Sequence, residues 1–123
     1  MLECLFVGLG GFIGSVVRYL IGLLAVETAS GFPIKTFAIN ILGSFVIGIV
    51  SETALRDPTF SRNLVLFLQI GICGGFTTFS TFSNEALKLL VGGRHGVAIA
   101  YMVLSVVLGL VAVYVGWLVA RAR

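Results

Sequence analysis

Charged residues occupy only a few positions in this chain, and the stretches between them are long and apolar. Of the 123 residues, 11% are charged and 59% are hydrophobic, and the mean hydropathy is +1.14. A soluble domain carries about 25% charged residues, so this chain has too little polar surface to cover a soluble monomer. The pattern predicts an integral protein of the cell membrane, with the lipid bilayer as its surroundings.

Reading between the charges divides the chain into four predicted transmembrane helices, because a charge at the bilayer centre costs about 2.5 to 3.5 kcal/mol. The spans run from about 4 to 26, 36 to 54, 63 to 90 and 96 to 120. The connections contain glycine or proline and are too short for a soluble domain. Residues 1–123 are therefore predicted to form one all-α membrane domain. The charge-free part of the second span is the shortest, so we expect either that flanking residues lengthen it or that the bilayer is thinner around it.

Positive loop charges, which usually set the orientation of a membrane protein, are nearly balanced here. One side is expected to hold four basic side chains and the other three. These are Arg56, Arg62, Arg121 and Arg123 on one side, and Lys35, Lys88 and Arg94 on the other. Dual insertion is the favoured interpretation, and a fixed topology with a weak bias is the alternative. Because the basic residues are scattered singly, nucleic acid is not an expected partner.

Two polar side chains lie at membrane depth in the first two spans. Arg18 is about 12 Å from the end of its span by helical rise. It could extend to the interface or attract an anion into a water-filled vestibule. Asn40 is an amide in an apolar helix, so it needs a partner. That partner could be another helix or a dehydrated anion that accepts its N–H groups.

The third span contains Gly71, Gly74 and Gly75, followed by Thr77 and Thr78. This sequence predicts a break in the helix near the middle of the span. Backbone carbonyls freed at membrane depth are tolerated where they are buried in protein or line a cavity, often with a bound ion. A cation at the break is therefore reasonable, and a kinked, glycine-packed helix is the alternative.

Phenylalanines and hydroxyl side chains alternate after that break. Phe76, Phe79 and Phe82 recur every three residues. The hydroxyl residues among them are Thr77, Thr78, Ser80, Thr81 and Ser83. Aromatic ring edges are electropositive and hydroxyl groups donate hydrogen bonds, so the pattern favours a route for an anion. Tyr101 and Ser105, one turn apart in the fourth span, could extend it.

No residue pattern predicts catalysis, so the protein is not expected to be an enzyme. The single His95 lies in a turn, and no carboxylate pair lies at membrane depth. The glycines of the first span do not fit the spacing of a dinucleotide fingerprint. Gly10 and Gly14 instead predict a face for close helix packing.

Over nearly its full length the chain resembles the Fluc family of fluoride channels, also called CrcB. The motifs that carry the resemblance are Gly-Gly-Phe-Ile-Gly-Ser-Val-Val-Arg at 10–18, the segment 36–48, and Gly-Gly-Phe-Thr-Thr-Phe-Ser-Thr-Phe at 74–82. The resemblance implies an antiparallel, dual-topology homodimer that encloses two fluoride pores. Passive fluoride export through these pores would protect the cell from fluoride toxicity.

The resemblance also implies roles for individual residues. Phe79 and Phe82 would line the pore, and Asn40 would donate a hydrogen bond along it. The hydroxyl track would consist of Ser80, Thr81, Tyr101 and Ser105. Arg18 and Glu85 would lie toward the vestibules, and the backbone carbonyls of Gly74 and Thr77 would hold a structural sodium ion on the dimer axis.

Two other functions fit a small four-span protein. A proton-coupled transporter of the small multidrug type would need a carboxylate deep in the first span, where this chain has Arg18 instead. A non-transporting assembly subunit would explain the packing glycines but leaves the polar third span unexplained.

Overall fold

Four helical spans account for almost the whole chain in the computed structural model, which describes residues 1–123. The helices are α1 (Leu2–Gly22), α2 (Ile34–Arg56), α3 (Arg62–Val65), a π-helical segment (Leu66–Cys73), α4 (Gly74–Phe76), α5 (Phe79–Val91) and α6 (His95–Arg121). The third span comprises α3 to α5. Each span is long and apolar enough to cross a membrane. The predictions of four transmembrane helices and a bent third helix are confirmed.

Flanking residues lengthen the second span, which is one of the two expected alternatives. Helix α2 contains 23 residues and is therefore about 35 Å long. Its last turns include Glu52, which is 8% exposed. The Glu52 carboxylate lies 3.6 Å from Arg121 Nε and 4.0 Å from Arg56 Nε. Pairing reduces the cost of holding this carboxylate near the membrane.

Glycines bring the helix backbones into direct contact at two interfaces. Gly10 and Gly14 of α1 are buried against the third span. A Cβ atom added at Gly14 would overlap the carbonyl oxygen of Ile72. Gly48 and Gly116 make the same kind of close backbone contact between α2 and α6. Small residues are favoured at such contacts because association within a bilayer depends on close packing rather than on the hydrophobic effect.

We expect Gly14→Val to prevent folding, because its side chain would have to displace backbone on the facing helix. Overpacking in a core costs about 1 to 3 kcal/mol, and more where backbone must move. The matched control is Gly8→Val in the same helix, where an added Cβ atom meets nothing within 4 Å. Elution profile and melting temperature in detergent measure the difference. Equal behaviour of the two variants would contradict this packing of α1.

The loops are held by short polar contacts. Lys35 Nζ donates to the carbonyl oxygens of Gly22 and Leu24 at 2.9 and 3.2 Å, which caps the C-terminus of α1. After α2, Asp57 Oδ1 accepts bonds from the hydroxyl and the backbone N–H of Thr59 at 2.6 and 2.8 Å. These two bonds hold the pKa of the Asp57 carboxyl below its ordinary value. Their stabilisation of the turn is thus present at neutral pH and is lost as the pH falls through the lowered pKa.

Candidate functional site: a groove at the broken third span

The third span is interrupted at Thr77 and Thr78, which adopt extended backbone conformations between α4 and α5. Asn40 of α2 bonds to both backbone groups of Thr78. The Thr78 N–H donates to Asn40 Oδ1 at 2.9 Å, and Asn40 Nδ2 donates to the Thr78 carbonyl at 3.2 Å. Asn40 therefore has a helix–helix partner and holds α2 against the break.

Hydroxyl side chains satisfy the helix ends on either side of the break. Thr77 Oγ1 donates to the Cys73 carbonyl at 2.8 Å. Thr78 caps α5 by accepting from the Thr81 N–H at 3.2 Å, and its own hydroxyl donates to Thr81 Oγ1 at 3.0 Å. Such a cap contributes about 1 kcal/mol to helix stability. Thr81, a predicted member of the hydroxyl track, thus takes part in the hydrogen bonds that stabilise the break.

The same break deprives four carbonyls, those of residues 74–77, of their helical partners. In a continuous helix, the Gly74 carbonyl would accept from the Thr78 N–H, and the Thr77 carbonyl from the Thr81 N–H. Those N–H groups bond instead to Asn40 and to the Thr78 hydroxyl. Gly74 is also exposed on the surface of the chain. The Gly74 and Thr77 carbonyls therefore have no helical partner at the break, whereas the Gly75 carbonyl accepts from Arg18.

A groove of about 370 Å³ runs along the break between α2, α6 and the third span. Predicted site residues that line it are Asn40, Gly74, Thr77, Phe79, Phe82 and Ser105. Phe79 is 80% exposed, so a single chain leaves the groove open on one side. The hydroxyl oxygen of Ser105 is buried without a hydrogen-bond partner. An unpartnered buried hydroxyl costs about 1 to 3 kcal/mol.

Aromatic rings continue from the groove into the core. The Phe82 ring centroid lies 5.8 Å from that of Phe79 and 5.0 Å from that of Tyr101. Tyr101 is fully buried and is not among the residues that line the groove. Its hydroxyl donates to Glu85 Oε2 at 2.8 Å, and Thr36 donates to the other Glu85 oxygen at 2.8 Å. Glu85 is therefore held by two hydroxyl groups on the far side of Phe82.

A second cavity, of about 670 Å³, opens beside the first. Its lining includes Arg18, Thr81 and Glu85 from the predicted site. The charged residues that line it are Arg18, Lys35, Lys88, Arg94, Glu27 and Glu85, so positive charge is in excess. Arg18 Nε donates to the Gly75 carbonyl at 3.0 Å, which ties α1 to the break. Ser80 is exposed and is not among the residues lining either cavity.

Comparison with known proteins identifies the family of this chain. The model of the CrcB-like protein family, described as camphor resistance (CrcB), matches residues 5–117. The chain belongs to the CrcB family. CrcB-family relatives named fluoride-specific ion channel FluC include one from Chlorobium chlorochromatii, 45% identical over 95% of this chain and 91% of the relative. Another, from Chlorobaculum tepidum, is 46% identical over 98% and 96% of the two chains. The relatives are named as ion channels and not as enzymes, and the predicted absence of catalysis is confirmed.

Two features of this CrcB-family chain were not predicted from the sequence. Gln69 lies in the π-helical segment and lines the groove. An amide among apolar residues is a visible signal, and the reasoning applied to Asn40 could have found it. Thr36 as a partner of Glu85 carries no such signal, because it depends on the register between α2 and α5.

Proposed function

We propose that the protein is a fluoride-selective channel that lets fluoride leave the cell passively. The observation that carries the proposal is the groove, where Asn40, Ser105 and two phenylalanine rings form an uncharged lining beside a helix break. Hydroxyl donors and ring edges can replace part of the water around a small anion. The relatives' shared name supports fluoride as that anion.

The cavity that contains Arg18 would serve as the vestibule. Its excess positive charge raises the local anion concentration. Fluoride would then pass Thr78, which lines both cavities, and Phe82 into the groove. The Ser105 hydroxyl in the groove lining has no hydrogen-bond partner within the chain. Fluoride is smaller than chloride and approaches these donors more closely, so it recovers more of its lost hydration energy. The four spans provide no carboxylate pair for proton coupling, and the flux follows the fluoride gradient.

The functional unit would be an antiparallel homodimer in which each chain closes the open side of its partner's groove. Phe79 and Gly74 are exposed on the single chain, and a second copy inserted with opposite orientation would bury them. The near balance of loop charges supports dual topology. Two antiparallel chains would enclose two pores.

A structural sodium ion fits the break. The carbonyls of Gly74 and Thr77 lack helical partners, and oxygen atoms are the preferred ligands of hard cations. A second copy would add the same two carbonyls across the dimer axis. The ion would balance the partial negative charge of the freed carbonyl oxygens and hold the two breaks together. It would not be transported.

The small multidrug-type transporter is not supported. The only carboxylate of α1 is Glu3, at the first turn, and it pairs with Arg62 at 2.9 Å. The family match favours an ion channel as well.

The proposal is tested by ion efflux from liposomes that contain the purified full chain. Liposomes are loaded with potassium fluoride or potassium chloride, and valinomycin carries the balancing potassium without any proton gradient. We expect rapid fluoride release and no chloride release, measured with ion-selective electrodes. A folded protein that releases neither ion, or both at the same rate, would overturn the proposal.

Dual topology predicts that added positive charge on one side will inactivate the chain when it is expressed alone. The variant carries Leu55→Lys and Phe60→Lys near the second loop, where Leu55 is 83% exposed. We expect one fixed orientation and loss of fluoride resistance in cells. Glutamine at both positions is the neutral control.

Complementation separates fixed orientation from simple damage. A second chain carries Ala29→Lys and Val91→Lys, which add charge on the opposite side of the membrane. Val91 is 81% exposed. Expression of the two inactive chains together should restore resistance. Full activity of either lysine variant alone would contradict dual topology.

A further inference from the structure

Gln69 is a polar side chain of the third span to which the proposed fluoride path assigns no part. It is partly buried among apolar residues of the segment Leu66–Cys73. It lines the same groove as Asn40 and Phe82. An amide at membrane depth is costly unless its groups are bonded, so its presence in the groove needs an explanation.

The hydrogen bonds of Gln69 fix its position and leave one N–H of its side-chain amide available. Its Nε2 atom donates to Ser51 Oγ of α2 at 2.7 Å. Its backbone carbonyl accepts from the N–H of Gly74, the first residue after the π-helical segment. A primary amide has two N–H groups, and the bond to Ser51 uses one of them.

The π-helical geometry brings Gln69 to the groove. Bonds from residue i to i+5 are rare in proteins and occur most often near functional sites. Within this segment Gln69 and Cys73 both line the groove, opposite Ser44 and Ile47 of α2. Ser44, Ile47 and Ser51 share one face of α2 by their spacing. The groove therefore continues along α2 well beyond the break.

Contacts along α2 give the order of groups on this route. Thr36 bonds to Glu85, Asn40 bonds to Thr78, and Ser51 bonds to Gln69. Because the Phe82 ring contacts Tyr101, the partner of Glu85, Gln69 lies at the end of the groove away from Phe82.

We propose that Gln69 is a further specificity-determining residue of this path, whose second amide N–H donates to fluoride at the end of the groove away from Phe82. Ser51 positions the amide. The inference rests on the proposed function. The nearest acidic side chain along α2 is Glu52, which pairs with Arg56 and Arg121. An uncharged donor can thus act there without a competing carboxylate.

The test compares Gln69→Leu and Gln69→Glu with the wild-type protein in fluoride-loaded liposomes. We expect Gln69→Leu to lower the fluoride efflux rate about tenfold, as the loss of a hydrogen bond to a charged group implies. We expect Gln69→Glu to lower it further at pH 7.5 and to regain flux at pH 5.5, as protonation removes the new charge. The control is Asn84→Leu, an exposed amide of the same span that is not among the residues lining the groove.

Wild-type rates and protein-free liposomes over the same pH range correct for leakage of hydrogen fluoride and for other titrating groups. Among the groove-lining residues the titratable side chain is Cys73, and the wild-type comparison includes it. Gln69→Glu keeps a partner for Ser51, so it carries the test if Gln69→Leu does not fold.

The outcomes separate this inference from the proposed function. No fluoride release by the folded wild-type protein overturns the proposed function. Wild-type flux with unchanged rates in both Gln69 variants overturns only the role of Gln69. Equal, pH-independent losses in Gln69→Leu, Gln69→Glu and Ser51→Ala also overturn it, because they would show that Gln69 merely holds the third span against α2.

Discussion

Replacing Phe82 with isoleucine is expected to lower fluoride efflux about tenfold or more while the protein still folds. The ring of Phe82 lines the groove and packs between Phe79 and Tyr101, at centroid distances of 5.8 and 5.0 Å. Isoleucine fills part of the same volume, so the cost to packing is modest. It has no electropositive ring edge to offer an anion. Efflux from liposomes measures the loss, and elution from a sizing column confirms assembly.

Phe12→Ile is the matched control for this change. Phe12 is also a phenylalanine of a transmembrane helix, but it is exposed on α1 and is not among the residues lining the groove. We expect its efflux rate to stay near that of the wild-type protein. Normal flux in Phe82→Ile would remove Phe82 from the path, and equal losses in both variants would point to a general effect on assembly.

The spans and the break could be predicted from the sequence because single residues determine them. A charge in hydrocarbon is costly enough that Lys35, Arg62 and Arg94 mark the edges of helices without further information. The break follows from glycines and adjacent threonines, which weaken a helix and can cap its separated ends. Such signals are local, and no tertiary structure is needed to interpret them.

The contacts of the site could not be predicted, since they depend on how the helices align. Asn40 bonds to Thr78 across 38 positions of sequence, and only the register of α2 against the break decides this. The hydroxyl of Tyr101, a predicted member of the hydroxyl track, donates to Glu85, and nothing in the sequence indicates that bond. The π-helical segment Leu66–Cys73 has an ordinary apolar composition, so hydropathy periodicity does not reveal its altered hydrogen bonding.

Asn40 makes two hydrogen bonds to Thr78, so its role at the site has two possible explanations, which two substitutions distinguish. Asn40 could matter because it holds the break, because it faces the ion, or for both reasons. Asn40→Leu leaves both the N–H and the carbonyl of Thr78 without a hydrogen-bond partner. Each unpaired backbone group costs about 1 to 3 kcal/mol, so we expect the melting temperature in detergent to fall by about 10 °C or more. At a pH low enough to protonate its carboxyl, Asn40→Asp keeps an acceptor for the Thr78 N–H and a donor to the Thr78 carbonyl, so it should destabilise the protein less.

If Asn40 faces the ion, the variant with the smaller loss of stability, Asn40→Asp, should show the larger loss of flux. A carboxylate about 4 Å from fluoride repels it by about 4 kcal/mol at an effective dielectric constant of 20. We therefore expect Asn40→Asp at pH 7.5 to lower fluoride efflux roughly a hundredfold or more, and further than Asn40→Leu does. Efflux rates and melting temperatures of the same preparations give the comparison. Flux that simply follows stability across the two variants would limit Asn40 to a structural role, since a residue beside the ion must respond to charge as well as to lost hydrogen bonds.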